Sequence, residues 1–322
     1  MIESVFIANR GEIAVRVIRT CHEMGLEAVV GYSEADAESL PVKMADKAVC
    51  IGPPSTKLSY THMGNLISAA LYAGCDAVHP GVGFLSENAE FAQKVQDSGL
   101  IFIGPDPETI SFLGNKVQAK RTAIEAGLPV IPGSDGSVDD LEAARRFAAD
   151  AGYPVIIKAA SGGGGKGRRI VREEEGLESN MRIAAHEAET AFSDGTIYME
   201  KYLENPRHVE VQVLADSHGN VVHLGERDCS LQRNHQKVVE ESPSPGMDEG
   251  ARNRMCEDAV NLFKSLDYKG AGTVEFLFDG KEYFFMEVNA RVQVEHPVSE
   301  YISGVDIIRE QIRGAAGEKL RV

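Results

Sequence analysis

Over roughly the first 110 residues, short apolar runs alternate with segments whose apolar residues recur at helical spacing, and this alternation constrains the fold more than any other feature. Val5 to Ala8 ends in Asn9-Arg10-Gly11-Glu12. Ile13, Ala14, Val17, Ile18, Cys21 and Met24 then mark one helix face, closed by Gly25. Further strand-like runs cover Glu27 to Tyr32, Ala48 to Ile51 and Ala77 to His79, with a helix around Asn65 to Tyr72. Such alternation predicts a doubly wound parallel sheet. Ligands in these sheets gather at the carboxyl ends of the strands, here Asn9, Arg10, His79 and Pro80.

The remainder reads as α+β. A helix from Lys116 to Ala126 leads into a segment of about 130 to 203 that has the proportions of a small lid. Leu141, Ala144, Phe147, Ala148 and Ala151 share a helix face before the strand Pro154 to Lys158. The strand Arg169 to Val171, a helix on Leu177, Met181, Ala185, Ala188 and Phe192, and the strand Thr196 to Leu203 follow. Beyond the lid the pattern becomes antiparallel. His208 to Ala215 alternates strictly, Asp216 to Asn220 turns, and Val221 to Arg227 returns. The expected domains are therefore 1–113 and 114–322.

Composition limits the partners. Lys and Arg number 33 against 49 Asp and Glu, a net charge of −16, which argues against nucleic acid or an anionic membrane as the main partner. An anionic ligand then needs local cations. The five cysteines include no CxxC pair and suggest neither a disulfide framework nor a zinc site. With no leader-like or membrane-length apolar run, the expected location is cytoplasmic.

Two features carry chemistry. Between two strands lies Ser161-Gly162-Gly163-Gly164-Gly165-Lys166-Gly167, where backbone amides without Cβ atoms can approach a polyphosphate and Lys158 and Lys166 supply charge. A flexible linker is the competing reading. Arg168 stands where a Walker A loop needs Ser or Thr. The second feature is Met286 to Pro297: in an extended strand, Glu287, Asn289, Arg291, Gln293 and Glu295 form one row and the intervening apolar residues face the other way. A half-exposed strand gives the same alternation without function.

The hairpin at Asp279-Gly280 bears on that row. A two-residue loop of Asp279 and Gly280 places 275 opposite 284; a three-residue loop of Gly280 to Glu282 places Glu275 opposite Glu287. The second gathers Val274, Phe276, Phe278, Phe284, Met286 and Val288 on one apolar face, so burial favours it. Facing glutamates share a proton or a cation, and hard oxygen donors suit Mg²⁺ or Mn²⁺.

IANRGEIAVRVIR at 7–19, HPGVGFLSEN at 79–88, the glycine loop, MEKYLENPRHVEVQVLAD at 199–216, ERDCSLQRNHQKVVEESPSP at 226–245 and EVNARVQVEHPVSE at 287–300 together resemble the ATP-grasp superfamily, and within it the biotin carboxylases. The resemblance implies ATP-dependent carboxylation of biotin by bicarbonate. Its partners would be a biotin carboxyl carrier protein and carboxyltransferase subunits, and the full-length enzyme would be a homodimer. It makes Lys116, Lys158 and the loop residues Gly163, Gly164, Gly165 and Lys166 nucleotide ligands, with Glu200, Lys201 and Leu203 meeting adenine. His208 and Gln232 resemble ribose contacts, and His235 lies near the phosphates. Glu275, Glu287 and Asn289 match the metal ligands; Lys237, Arg291, Gln293 and Val294 match the bicarbonate site, and Glu295 the general base.

Three positions depart from the family pattern: Val82 for a tyrosine, Arg168 for a methionine and Asn234 for an arginine. The family also continues beyond the position of Val322, so a C-terminally incomplete chain is expected. The competing functions are the biotin carboxylase domain of a pyruvate or urea carboxylase, and a non-catalytic nucleotide-binding or assembly fragment.

Overall fold

The computed structural model describes residues 2–134, 136–138, 140–159, 168–192, 194–234 and 236–322; the side chains of Lys116, Val117, Ala191 and Phe192 also lie outside the description. Two compact units emerge, residues 1–128 with 207–322, and residues 129–206.

The larger unit begins with β1 (Ser4–Ile7), α1 (Gly11–Met24), β2 (Glu27–Ser33), α2 (Leu40–Met44), β3 (Lys47–Gly52), α3 (Met63–Ala73), β4 (Ala77–His79), α4 (Ala89–Asp97), β5 (Ile101–Phe102), α5 (Pro107–Gly114) and α6 (Lys116–Glu125). The strands pair in parallel in the order β3-β2-β1-β4-β5, the doubly wound sheet that the alternation predicts. Helix α1 buries Ile13, Ala14, Val17, Ile18 and Cys21, and Gly25 ends it in the left-handed region, donating to the Cys21 and His22 carbonyls. Phe6, Val29 and Val78 point to the other face, against Leu66 of α3 and Phe91 of α4.

The smaller unit contains α7 (Leu141–Ala151), β6 (Val155–Ala159), β7 (Arg169–Val171), α8 (Leu177–Phe192) and β8 (Ile197–Lys201). Its sheet is antiparallel in the order β7-β6-β8. Ala144, Ala148, Val155, Ile157, Leu177, Met181 and Met199 make up its core.

The chain returns to the larger unit with β9 (Arg207–Ala215), β10 (Val221–Arg233), β11 (Gln236–Glu241), α9 (Glu249–Ser265), β12 (Gly270–Phe278), β13 (Tyr283–Asn289), α10 (His296–Ser303) and α11 (Ile307–Ala315). This second sheet is antiparallel in the order β11-β10-β9-β12-β13. Central β9 is buried on both faces; Glu210 and Gln212 are fully buried among polar partners rather than in water.

The hairpin brings Glu275 opposite Glu287 as expected, by a different route. The loop residues are Gly280 and Lys281, one step beyond the Asp279-Gly280 pair, with Asp279 accepting from the Lys281 and Glu282 amides. The extra residue is Met286, a β-bulge between the Phe276–Phe285 and Glu275–Glu287 pairs. Alternation therefore flips at Met286, which is 39% exposed. The buried face gathers Val274, Phe276 and Phe278 with Tyr283, Phe285 and Val288, in place of the predicted Phe284 and Met286.

The single row from Glu287 to Glu295 is corrected as well. Strand β13 ends at Asn289, residues 290–295 coil, and Pro297 opens α10. Val294, assigned to the apolar face, is 54% exposed.

Candidate active site

Four neighbouring strands place Arg227, Glu210, Glu275 and Glu287 in one line: Arg227 pairs with Glu210, Glu210 with Glu275, and Glu275 with Glu287. Directly opposed residues share a face, so the sheet presents one guanidinium and three carboxyl groups on one side. Lys237 of edge strand β11 reaches into this line. Its Nζ lies 2.6 Å from Glu210 Oε2, 2.9 Å from Glu275 Oε1 and 2.7 Å from Glu295 Oε1. One ammonium thus holds three carboxylates that would otherwise repel one another.

The electrostatics follow from burial and these contacts. Burial alone would raise Glu210, but Arg227 and Lys237 outweigh it and hold the carboxyl well below the usual range. Burial raises Glu275 as well, and a hydrogen bond from His208 together with Lys237 brings it down. Glu295 moves the other way: burial and the Glu210 charge raise it despite Lys237. Burial disfavours the Lys237 ammonium, yet three carboxylates push its pKa above the ordinary lysine value.

Around this centre the residues from the end of β13 onward converge although they do not form one strand. Asn289 Nδ2 donates to Glu275 Oε1 at 2.8 Å, and Gln293 Nε2 donates to Thr273 Oγ1 at 3.0 Å and Glu275 Oε1 at 3.3 Å. Arg291 donates from Nη1 to Gln293 Oε1 at 2.8 Å and from Nη2 to Asn289 Oδ1 at 3.1 Å. Its Nε donates to Glu87 Oε2 at 2.8 Å, and Glu87 Oε1 accepts the Ala290 amide at 3.0 Å. His208 Nε2 lies 2.7 Å from Glu275 Oε2, and Gln232 Nε2 lies 2.9 Å from His208 Nδ1. Thus His208 and Gln232, expected as ribose contacts, join each other and Glu275.

Glu275 and Glu287 fit a hard divalent cation as an opposed carboxylate pair. Asn289 fits less well, because its carbonyl oxygen already accepts from Arg291. Ligand atoms of His208, Glu210 and Glu275 also cluster within 4.8 Å, but Lys237 supplies positive charge to that group.

At the strand ends of the parallel sheet, Asn9 Nδ2 holds the loop after β4 by the Pro80 and Val82 carbonyls at 2.9 and 2.7 Å. His79 is fully buried, its Nδ1 accepting the Gly81 amide at 3.0 Å. In the smaller unit, Lys158 forms an ion pair with Glu200 and lies over the Tyr198 ring. Lys201 donates its ammonium to the Gly152 and Tyr153 carbonyls at 2.9 and 3.1 Å, and Leu203 is half-buried. Gly163, Gly164, Gly165, Lys166 and His235 lie outside the described residues, as does the Lys116 side chain.

Sequence reasoning missed Glu87, Glu210 and Arg227. The available signal was a charge at a central-strand position in HVEVQV, and at its partner position in GERDC, where only a paired charge can be buried.

The fold is of the ATP-grasp type, with one sheet carrying acidic, cation-paired residues and a separate small unit carrying the Lys158–Glu200 pair. The sequence family "Biotin carboxylase, N-terminal domain" matches residues 1–110, and "Carbamoyl-phosphate synthase L chain, ATP binding domain" matches residues 115–322. Biotin carboxylase 1 of Bacillus subtilis is 53% identical over 322 residues, covering 99% of this chain and 72% of that protein. Biotin carboxylase of Haemophilus influenzae is 52% identical over 318 residues, covering 98% and 71%. Among solved structures, a biotin carboxylase–βγ-ATP complex from Campylobacter jejuni matches with a TM-score of 0.87 at 51% identity, over 100% of this chain and 72% of that one. The bicarbonate-bound biotin carboxylase domain of a thermophilic 2-oxoglutarate carboxylase matches with a TM-score of 0.94 at 46% identity, over 100% and 71%. The chain belongs to the biotin carboxylase family.

Proposed function

We propose that this chain catalyses the ATP-dependent carboxylation of biotin by bicarbonate through carboxyphosphate, on a biotin held by a carrier protein, as the first half-reaction of acetyl-CoA carboxylase. The observation that carries the reading is the Lys237 cluster: one ammonium against three carboxylates, with Arg291 and Gln293 alongside, in a chain about half identical to biotin carboxylases. Bicarbonate is a poor electrophile, so activation requires phosphorylation. Glu295, raised by burial and by Glu210, suits the base that takes the bicarbonate proton as its oxygen attacks the γ-phosphorus and ADP leaves. Arg291, Gln293, the Val294 backbone and Lys237 would hold the anion, with the guanidinium exchanging its Gln293 and Asn289 contacts for it. Carboxyphosphate then separates into CO₂ and phosphate, the phosphate takes the ureido proton, and the nitrogen attacks CO₂.

Lys116, Lys158, the glycine loop from Gly163 to Lys166, Glu200, Lys201, Leu203, His208, Gln232 and His235 are the proposed nucleotide contacts. A magnesium or manganese ion bound by Glu275 and Glu287 would neutralise phosphate charge. A division into domains 1–113 and 114–322 accords with the two family matches. Carboxyltransferase subunits as partners, a role in fatty acid synthesis and a cytoplasmic location complete the reading. Among the described residues no helix is long and apolar enough to cross a membrane.

The test is ATP hydrolysis with bicarbonate and free biotin, expected to require both. Turnover indifferent to bicarbonate would refute the reading. The pyruvate carboxylase alternative gains support from the match to the biotin carboxylase subunit of pyruvate carboxylase, at a TM-score of 0.89 and 47% identity. Carboxylated carrier presented to acetyl-CoA or pyruvate carboxyltransferases distinguishes them.

A further inference from the structure

Arg227 is a fully buried arginine, and its contacts close a ring around the site. Its Nε and Nη2 both lie 2.7 Å from Glu210 Oε1, and Nη1 donates to Gln212 Oε1 at 2.9 Å and Ser299 Oγ at 2.7 Å. The other Glu210 oxygen holds Lys237 at 2.6 Å, and Lys237 lies 2.7 Å from Glu295. Glu295 is the residue from which α10 starts, and Ser299 belongs to that helix. The path from Arg227 through Glu210, Lys237, Glu295 and α10 therefore returns to Arg227.

Each link has a physical reason. A carboxylate buried in a central strand persists only with a fixed partner, and a guanidinium holds it in one orientation because its donors lie in one plane. With Glu210 fixed, Lys237 has a defined anchor beside Glu295. The Ser299 contact sets the helix that begins beside that base.

We propose that Arg227 is a positioning residue for the bicarbonate site: through Glu210 and Ser299 it fixes the Lys237 ammonium and Glu295 relative to each other, without touching substrate. The proposal rests on the functional reading above. Its test is R227M and R227K in the chain as it stands, by two measurements. The first is the ¹⁵N-resolved signal of the Lys237 ammonium at neutral pH, visible in the parent because three carboxylates shield its protons from exchange. The second is the kinetics of bicarbonate-dependent ATP cleavage. R227M is expected to lose the ammonium signal and about 100-fold in kcat, the scale of an ångström misplacement, with the KM for ATP unchanged. R227K keeps the charge but not the fork and is expected between parent and R227M; it carries the test should R227M not fold. A kcat loss with the Lys237 signal intact, or R227K equal to the parent in both measurements, overturns the proposal. A parent without bicarbonate-dependent turnover, whose Lys237 signal still vanishes in R227M, defeats the functional reading and supports the Arg227–Lys237 coupling.

Discussion

Lowering the pH from 8 to 5 is predicted to destabilise this chain through two buried histidines. His79 and His296 are both fully buried. Burial pushes each imidazole down to about 4 from an ordinary 6.5, and Arg16 acts in the same direction on both. His79 also faces Gln311 and His296, while His296 lies near Arg227 and Asp306 and has its Nδ1 2.7 Å from the Gln293 carbonyl. Below pH 6.5 the unfolded chain binds protons that the folded chain refuses, so stability rises with pH across this window. The contribution is complete above about 6.5 and is lost as pH falls towards about 4. At pH 5 each histidine costs about 2 kcal/mol, and in full about 3 kcal/mol, against a total stability of roughly 5–15 kcal/mol.

Urea unfolding followed by far-UV circular dichroism at half-unit pH steps measures the slope. H79N and H296N remove the titrating group while keeping, respectively, an acceptor for the Gly81 amide and a donor for the Gln293 carbonyl. Each is expected to remove about half of the slope between pH 5 and 6.5, whatever constant offset the lost ring volume adds. A parent equally stable at pH 5 and 8, or a double variant with the parental slope, would refute the reasoning.

Three further outcomes are expected. K237M leaves Glu210, Glu275 and Glu295 without their shared ammonium, and bicarbonate-dependent ATP cleavage should fall to background in a coupled ADP-release assay. Gly272→Ala sets a Cβ 2.8 Å from the Tyr268 hydroxyl and 2.9 Å from the Asn289 carbonyl, both in the interior, and should cost about 1–3 kcal/mol, read as a lower Tm. E87Q weakens the contacts to Arg291 Nε and the Ala290 amide, and should raise the KM for bicarbonate more than that for ATP.

Periodicity alone was enough for the parallel sheet, because βαβ units write their strands and helices as local patterns. The alternation from Val5 to His79 gave the pairing class, and the facing of Glu275 and Glu287 followed from where the apolar residues needed burial. The bulge at Met286 was not legible. An extra residue in a loop and one in a strand yield the same far register, and only packing of Tyr283 and Phe285 against Phe276 and Phe278 selects between them. Similarly, a charged residue every second position from Glu287 to Glu295 resembled a strand. Its members do converge, but through a coil that turns at Asn289 and ends at Pro297.

By itself, then, the sequence determined the local elements, the family-bearing motifs and the side chains available for chemistry. The tertiary structure alone decided which charges neutralise which. Arg227, Glu210, Lys237 and Glu295 stand 17, 27 and 58 positions apart in successive contacts (227 − 210, 237 − 210, 295 − 237) and belong to different elements. No local pattern links them; burial does, because a charge removed from water is stable only beside its opposite.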